Sequence, residues 1–190
     1  MYRKIQRVQK VLKDAALHTQ KFTIKSSLSC TPGCFHCCTK KDISASPLEF
    51  LPLAYSLYKS GQADEVYEKL DSQQLDSICY LFSPFVNNGG GCQDYSNRGL
   101  ICRLFGFSAN HDKQGNSRLI TCKILKDSYS YSKLTPVVVT KAPMATDYYM
   151  RLSAIDFKLA NEQMQINQAI KRAIEIVSTY YMYRRRKRRA

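Results

Sequence analysis

Residues 30–38 carry the sequence Cys30-Thr31-Pro32-Gly33-Cys34-Phe35-His36-Cys37-Cys38. Four of the chain's eight cysteines thus fall in one short stretch, in the pattern C-x3-C-x2-C-C. Pro32 and Gly33 suit the two central positions of a type II turn, which would direct the thiols of Cys30 and Cys34 towards a common point. Cys37 follows Cys34 at the spacing of one helical turn, so we expect Cys30, Cys34 and Cys37 to converge. The stretch therefore predicts a site that aims sulfur ligands at an ion.

Three kinds of chemistry use cysteines at this density: a disulfide framework, a metal site and a reactive thiol. Gln6, Arg7 and Lys10 interrupt any apolar run near the start, so no signal-peptide pattern is present. No apolar run reaches the roughly 18 residues of a membrane-spanning helix, so no transmembrane segment is predicted. These patterns indicate a cytoplasmic, reducing location, where clustered cysteines favour metal binding over disulfides.

Thiolates are soft ligands that suit zinc or iron, and four of them complete a tetrahedral ion site or hold a 4Fe-4S cluster. Every cysteine is a candidate metal ligand: Cys30, Cys34, Cys37, Cys38, Cys79, Cys92, Cys102 and Cys122. Eight sulfurs exceed one mononuclear site, so two sites, or one centre with additional thiols, both remain open. We expect Cys102 or Cys92 to complete the site that the first three cysteines begin.

Two cysteine positions carry a more specific expectation. The side chains of the adjacent Cys37 and Cys38 are expected to diverge, so that one of them binds an ion while the other serves elsewhere. Cys79 falls within a predicted apolar helix, where a buried cysteine is either a metal ligand or an ordinary core residue. Both roles for Cys79 stay open.

The pattern of apolar residues predicts a mainly α-helical fold, a small single domain around an irregular, metal-stabilised, cysteine-rich centre. Helices are expected over about 2–20, 47–60, 64–82 and from 146 nearly to the end, with a short strand over 135–140. The second helix has the clearest limits, because Ser46 suits the N-cap, Pro47 the first turn, Glu49 a capping box and Gly61 the stop. The predicted segments are a basic amphipathic N-terminal helix with its lead-in (1–27), a cysteine-cluster domain (28–125), a C-terminal helical region (126–183) and a basic tail (184–190).

The net charge of +14 is concentrated at the two ends of the chain. Residues 1–41 carry nine Lys or Arg against one acid, a net +8, and the run RRRKRR over 184–189 adds +6, which leaves a neutral middle. Such an asymmetry favours a polyanionic partner, either a nucleic acid or an anionic membrane surface. A solubilising charge and a solvated tail are the alternative.

Two later motifs accompany the cysteine stretch: Ser46-x2-Glu49 at a helix start, and Cys92-x2-Tyr95-x2-Arg98-x3-Cys102-Arg103. Together with C-x3-C-x2-C-C they resemble the YkgJ-type CxxxCxxCC cysteine-cluster family of zinc- or iron-chelating domains, over about residues 28–125. The resemblance implies metal binding. The chain departs from the family where Gly99 replaces the proline that typically follows the arginine.

Two alternatives to simple metal binding remain open. The same cysteine module is found in the longer flagellin lysine N-methylase family, which implies an iron–sulfur-dependent, methyltransferase-like enzyme. The third reading is a metal-stabilised RNA-binding module whose basic, tyrosine-rich end contacts phosphates. No catalytic triad, paired-carboxylate motif or nucleotide fingerprint is recognisable, so no catalytic residue is predicted.

Overall fold

The computed structural model describes residues 1–30, 34–72, 78–86 and 90–187. The fold is mainly α-helical with short two-stranded pairings, which confirms the predicted fold class. None of the helices in these ranges is long and apolar enough to cross a membrane. The chain divides into two compact units, each built from separate stretches. The first unit comprises Met1–Gln9, Gly33–Arg98 and Leu152–Ala190, and the second comprises Lys10–Pro32 and Gly99–Arg151.

The helices and strands are short apart from the first and last helices. The helices are α1 Tyr2–Ser26, α2 Pro47–Ser60, α3 Ala63–Ser72, α4 Leu100–Leu104, α5 Lys123–Lys126, α6 Tyr129–Ser132, α7 Pro136–Val139, α8 Ala145–Ser153, α9 Phe157–Asn161 and α10 Ile166–Lys187. The strands are β1 Ser44–Ala45, β2 Phe82–Ser83, β3 Gly91–Cys92, β4 Ser108–His111, β5 Ser117–Ile120 and β6 Met164–Gln165. They pair antiparallel as β1 with β6, β2 with β3 and β4 with β5.

The core of the first unit lies where α10 packs along α2 and α3. Ile166, Ile170 and Ile174 are fully buried and recur every fourth residue, so they form one apolar stripe along α10. The start of α10 is fixed by β1 and β6, since the Ile166 N–H donates to the Ile43 carbonyl at 2.9 Å. This packing places the N-terminal end of α10 beside the strand that leads into α2.

The second predicted helix is confirmed as α2, with the limits that its local signals indicated. The buried Glu49 carboxylate accepts hydrogen bonds from the Ser46 N–H at 2.9 Å and from the Ser46 hydroxyl at 3.1 Å. Gly61 ends the helix in the left-handed conformation, at φ +76°, and its N–H bonds back to the last turn. Pro52 is accommodated inside the helix.

The second unit combines the β4–β5 hairpin with α4 to α8 and the C-terminal part of α1. Phe22 from α1, Leu28, Ala109 from β4, Leu125 from α5 and Ala142 form a buried apolar cluster. Ala109 also pairs with the segment before α8, because its N–H donates to the Pro143 carbonyl at 2.9 Å. A small apolar core thus joins the hairpin to the short helices around it.

The helix predicted over 64–82 is wrong at its C-terminal end. α3 ends at Ser72, residues 73–77 lie outside the described ranges, and residues 78–81 are not helical. A residue distant in the sequence explains this difference. The Asn167 side-chain amide donates to the Ile78 carbonyl at 2.9 Å and accepts from the Tyr80 N–H at 2.7 Å. These bonds occupy backbone groups that a helix would have used.

Three further expectations require correction. α1 continues to Ser26 rather than ending near residue 20. The strand predicted over 135–140 is the short helix α7, because the Thr135 hydroxyl caps it by accepting from the Val138 N–H at 3.3 Å and Pro136 occupies the first turn. The long C-terminal helix is broken into α8, α9 and α10, and Asp156 caps α9 by accepting from the Leu159 N–H at 3.0 Å.

Candidate metal centre

The cysteine doublet brings two sulfurs close together in the first unit. A tight turn, in which the Cys38 N–H donates to the Phe35 carbonyl at 2.7 Å, sets the Sγ atoms of Cys37 and Cys38 3.9 Å apart. This corrects the expectation that the two side chains diverge. Two thiolates bound to one zinc at about 2.3 Å in tetrahedral geometry lie about 3.8 Å apart. The doublet therefore has the sulfur spacing of one edge of a thiolate metal site.

The surroundings of Cys37 favour the thiolate form. The pKa of Cys37 is lowered to about 6, chiefly by the hydrogen bond from Cys38. Backbone N–H groups and the positive charge of Arg98 act in the same direction, while partial burial opposes them. A thiol that ionises near pH 6 is a metal ligand at neutral pH with little competition from protons.

The Cys92-x2-Tyr95-x2-Arg98 motif gives Arg98 its position. Asp94 accepts hydrogen bonds from the Asn97 N–H at 3.2 Å and from the Ser96 hydroxyl at 2.8 Å, which closes a 3-10 turn over Tyr95–Asn97. The Arg98 guanidinium lies 3.3 Å from the centre of the Tyr95 ring, a close cation–π contact. The spacing of the motif thus places the Arg98 guanidinium, which the Tyr95 ring holds in position, near the Cys37 sulfur.

Cys92 lies in the β2–β3 hairpin, and Cys79 stands just before that hairpin in the sequence. Cys92 pairs with Phe82 across the hairpin, and residues 87–89 at its tip lie outside the described ranges. Cys79 precedes β2, where the Asn167 amide holds the backbone on either side of it. Burial raises the pKa of Cys79 to about 11, and the nearby Cys92 and Cys37 groups add to the shift. Without a metal ion, Cys79 is therefore a neutral thiol.

Aromatic packing joins the doublet to this hairpin. The Phe35 and Phe82 rings lie 5.6 Å apart, centre to centre. Gly90 makes this contact possible, since a Cβ there would lie 3.0 Å from the Phe82 ring and 3.3 Å from the Phe35 ring. Gly90 also has φ +114°, a conformation that other residues rarely adopt. The doublet, Cys79 and Cys92 consequently share one region of the first unit.

The remaining candidate ligands have different surroundings. Cys34 is half-buried in the first unit, while the type II turn predicted before it falls on residues 31–33, outside the described ranges. Cys30, Cys102 and Cys122 belong to the second unit. Cys122 packs against the apolar cluster of that unit and caps α5, its Sγ accepting from the Leu125 N–H at 3.4 Å. The Cys122 sulfur therefore already has a structural role.

All eight cysteines lie in described ranges, and no disulfide joins any of them. Over those same ranges, no three His, Cys, Asp or Glu side chains are arranged to hold a metal ion. The 3.9 Å doublet is thus a preformed pair, with Cys79 and Cys92 as its neighbours.

Three residues that support this region were not recognised from the sequence: Gly90, Asp94 and Asn167. Gly90 had a signal, since a glycine run beside a cysteine is typical of close backbone approach. Asp94 had a weaker one, because Asp before Ser and Asn suits a side-chain-capped turn. Asn167 had none, since it lies 87 residues from Tyr80, to which it bonds.

A family model described as "Putative zinc- or iron-chelating domain", CxxCxxCC, matches residues 29–126. A search of curated proteins found no match, and neither did a search of solved structures. The matched span contains all eight cysteines together with Tyr95 and Arg98. By this match over half of its length, the chain belongs to the CxxCxxCC family of zinc- or iron-chelating domains.

Proposed function

We propose that the first unit binds one zinc or iron ion through Cys37, Cys38, Cys79 and Cys92. The four residues supply thiolates only, a ligand set that suits these metals and excludes hard ions such as magnesium and calcium. Membership of a chelating family supports metal binding as such. The choice of ligands and the number of ions are our inference from the surroundings of each cysteine.

The observation that carries the proposal is the 3.9 Å distance between the Sγ atoms of Cys37 and Cys38. In a 4Fe-4S cluster each cysteine binds a different iron, so its ligand sulfurs stand well beyond this distance. Two sulfurs at the edge length of a tetrahedron instead suit a single shared ion. This favours a mononuclear site over the cluster that the sequence left open.

Binding would require Cys79 to lose its proton and move onto the ion together with Cys92. A bound cation makes this favourable, because it lowers the pKa of a coordinating thiol far more than burial raises it. Four thiolates around a divalent ion carry two excess negative charges, and Arg98 stands where it offsets part of them. Metal binding would thereby order the region between doublet and hairpin, so part of the binding free energy would be folding free energy.

Anaerobic purification, elemental analysis and X-ray absorption at the metal edge test this proposal. We expect one equivalent of zinc or iron per chain, with four sulfur neighbours at about 2.3 Å. Zinc would give a protein that stays colourless in air, whereas iron oxidised to the ferric state would give a coloured one, because ferric thiolates absorb visible light. Acid-labile sulfide with a short iron–iron distance would instead establish a cluster and overturn the mononuclear assignment.

The other functions expected from the sequence have less support than metal binding. The family description names chelation and no reaction, so the methyltransferase-like alternative gains no support. At the basic C-terminal end, α10 runs to Lys187, and the Arg184 guanidinium donates to the Tyr180 hydroxyl at 3.3 Å. Binding of RNA or of an anionic membrane by this end stays a prediction.

A further inference from the structure

A basic pocket lies within the second unit, to which all its lining residues belong. Its volume is about 460 Å³, within the range of about 300 to 1,000 Å³ typical of small-molecule sites. One wall is a single face of α1, formed by His18, Lys21, Phe22 and Lys25 at helical spacing. The opposite wall comes from residues 140–142, Met144 and the first turns of α8.

The charges of the pocket are unbalanced. Lys21, Lys25, Lys141 and Arg151 line it, against a single lining carboxylate, Asp147. Asp14, just outside the lining, forms an ion pair with Arg151. Four cations thus face two carboxylates, an excess of two positive charges. The three lysines form no ion pair with any residue in the ranges that the structure describes.

The floor of the pocket is apolar. Phe22 and Ala142 are buried members of the apolar cluster, and Met144 packs against them. On one side, His18 Nδ1 and the Tyr148 hydroxyl are hydrogen-bonded at 3.0 Å, and Arg151 lies 5.2 Å from the Tyr148 ring. The pocket therefore combines an apolar floor with exposed ammonium groups, which is the pattern of a site for an amphipathic anion.

We propose that this pocket binds a small organic phosphate, with the phosphate among Lys21, Lys25 and Lys141 and the organic body on the Phe22–Met144 floor. A phosphate monoester carries a charge of about −1.5 to −2 at neutral pH, which matches the excess of two positive charges better than a carboxylate does. Lysine ammonium groups bind phosphate as point charges and need no fixed geometry. Inorganic phosphate would fill only a fraction of the volume, so the organic body accounts for the rest.

The test is calorimetric titration of the full-length, metal-loaded protein at low salt with phenyl phosphate, AMP and dimethylallyl phosphate. Phenol, adenosine, dimethylallyl alcohol and inorganic phosphate serve as the matching half-ligands. We expect saturable 1:1 binding of at least one monoester below about 1 mM, with its two halves at least about tenfold weaker. A half-ligand that binds as tightly as its monoester overturns the proposal, and so does a panel without saturable binding.

Paired charge variants separate the pocket from the general charge of the chain. The double variant Lys21→Ala, Lys141→Ala should lower the affinity for the monoester about a hundredfold, because each lysine contributes a charge-assisted hydrogen bond. Lys10→Ala with Lys13→Ala removes the same charge from exposed positions of α1 outside the pocket and should change affinity less than about threefold. Equal losses in both variants, or binding of long polyanions such as heparin alone, would mark an unspecific basic surface and overturn the site.

Discussion

The cysteine doublet of the first unit and Cys122 of the second place the same side chain in two different surroundings. At the doublet, two sulfurs stand 3.9 Å apart beside a positive charge, with two further cysteines in the same region. At Cys122, the sulfur accepts a backbone N–H at the start of α5 and packs into an apolar cluster. The difference teaches that the neighbours of a sulfur distinguish our proposed metal ligands from a structural cysteine, which the density of cysteines alone does not do.

Replacing one cysteine by serine in each region should give the largest difference in metal content and stability. Cys37→Ser removes a proposed ligand. Because the serine hydroxyl that replaces the thiol hardly ionises, we expect loss of the stoichiometric metal. If the ion supports this unit, losing about 3–5 kcal/mol would lower the melting temperature by about 10 °C. Elemental analysis and thermal unfolding followed by circular dichroism measure both effects.

Cys122→Ser is the matched control, because serine is itself a favoured N-cap and can accept the Leu125 N–H. It should keep the full metal content and change the free energy of unfolding by no more than about 1 kcal/mol. If Cys122→Ser loses the metal while Cys37→Ser retains it, the proposed ligand set is wrong.

Removing the Asn167 amide should have the next largest effect. Asn167→Ala leaves the Tyr80 N–H and the Ile78 carbonyl without their partner, at a cost of about 2–4 kcal/mol. We expect weaker metal binding as well, since the backbone beside Cys79 loses its support. Ser178→Ala on the same helix is the control, because no hydrogen-bond partner for the buried Ser178 hydroxyl is found among the described residues. Chelator competition that does not distinguish the two variants would remove Cys79 from the ligand set.

A smaller loss is expected at Gly90, where the doublet meets the hairpin. Gly90→Ala forces a methyl group to 3.0 Å from the Phe82 ring at φ +114°, at a cost of about 2 kcal/mol. Gly61→Ala is the control with positive φ and open space, since nothing lies within 4 Å of its Cβ position. Gly90→Ala should weaken metal binding as measured by chelator competition, whereas Gly61→Ala should lower only stability. Equal metal affinity in the two variants would show that the Phe35–Phe82 contact does not support the metal site.

The parts of the fold that sequence patterns predicted well are those determined by adjacent residues. α2 has the expected limits because Ser46, Pro47, Glu49 and Gly61 act within a few positions of the backbone groups they satisfy. The strand expected over 135–140 failed for a local reason that was missed. Its β-branched valines suggested a strand, but the Thr135 cap and Pro136 favour a helical turn.

The region of the candidate site could be predicted only in outline. Cysteine spacing predicted a thiolate site for zinc or iron, and the family match supports chelation of one of these metals. The geometry depends on contacts between segments distant in sequence, such as the Phe35–Phe82 contact and the hold of Asn167 on the backbone near Cys79. The spacing of apolar residues and the helix or strand propensity of each residue carry no information on such contacts. Sequence patterns therefore placed Cys79 in a helix and predicted that the side chains of Cys37 and Cys38 diverge.

The smallest effect, and the sharpest test of the electrostatics, is expected at Arg98. Arg98→Gln removes a charge that lowers the pKa of Cys37, so that pKa should rise from about 6 towards the ordinary value. A higher pKa leaves less thiolate at pH 6.5, where protons then compete with the metal, whereas at pH 9 most of the Cys37 thiol is ionised in either protein.

Metal affinity from chelator competition should therefore fall about two- to fivefold at pH 6.5, and the difference between the two proteins should narrow as pH rises. Arg118→Gln, which removes an exposed arginine of the second unit paired with Asp112 at 3.9 Å, is the control and should change nothing at either pH. A loss that is the same at pH 6.5 and pH 9 would mean that Arg98 acts through the folding of the turn rather than through the charge beside Cys37.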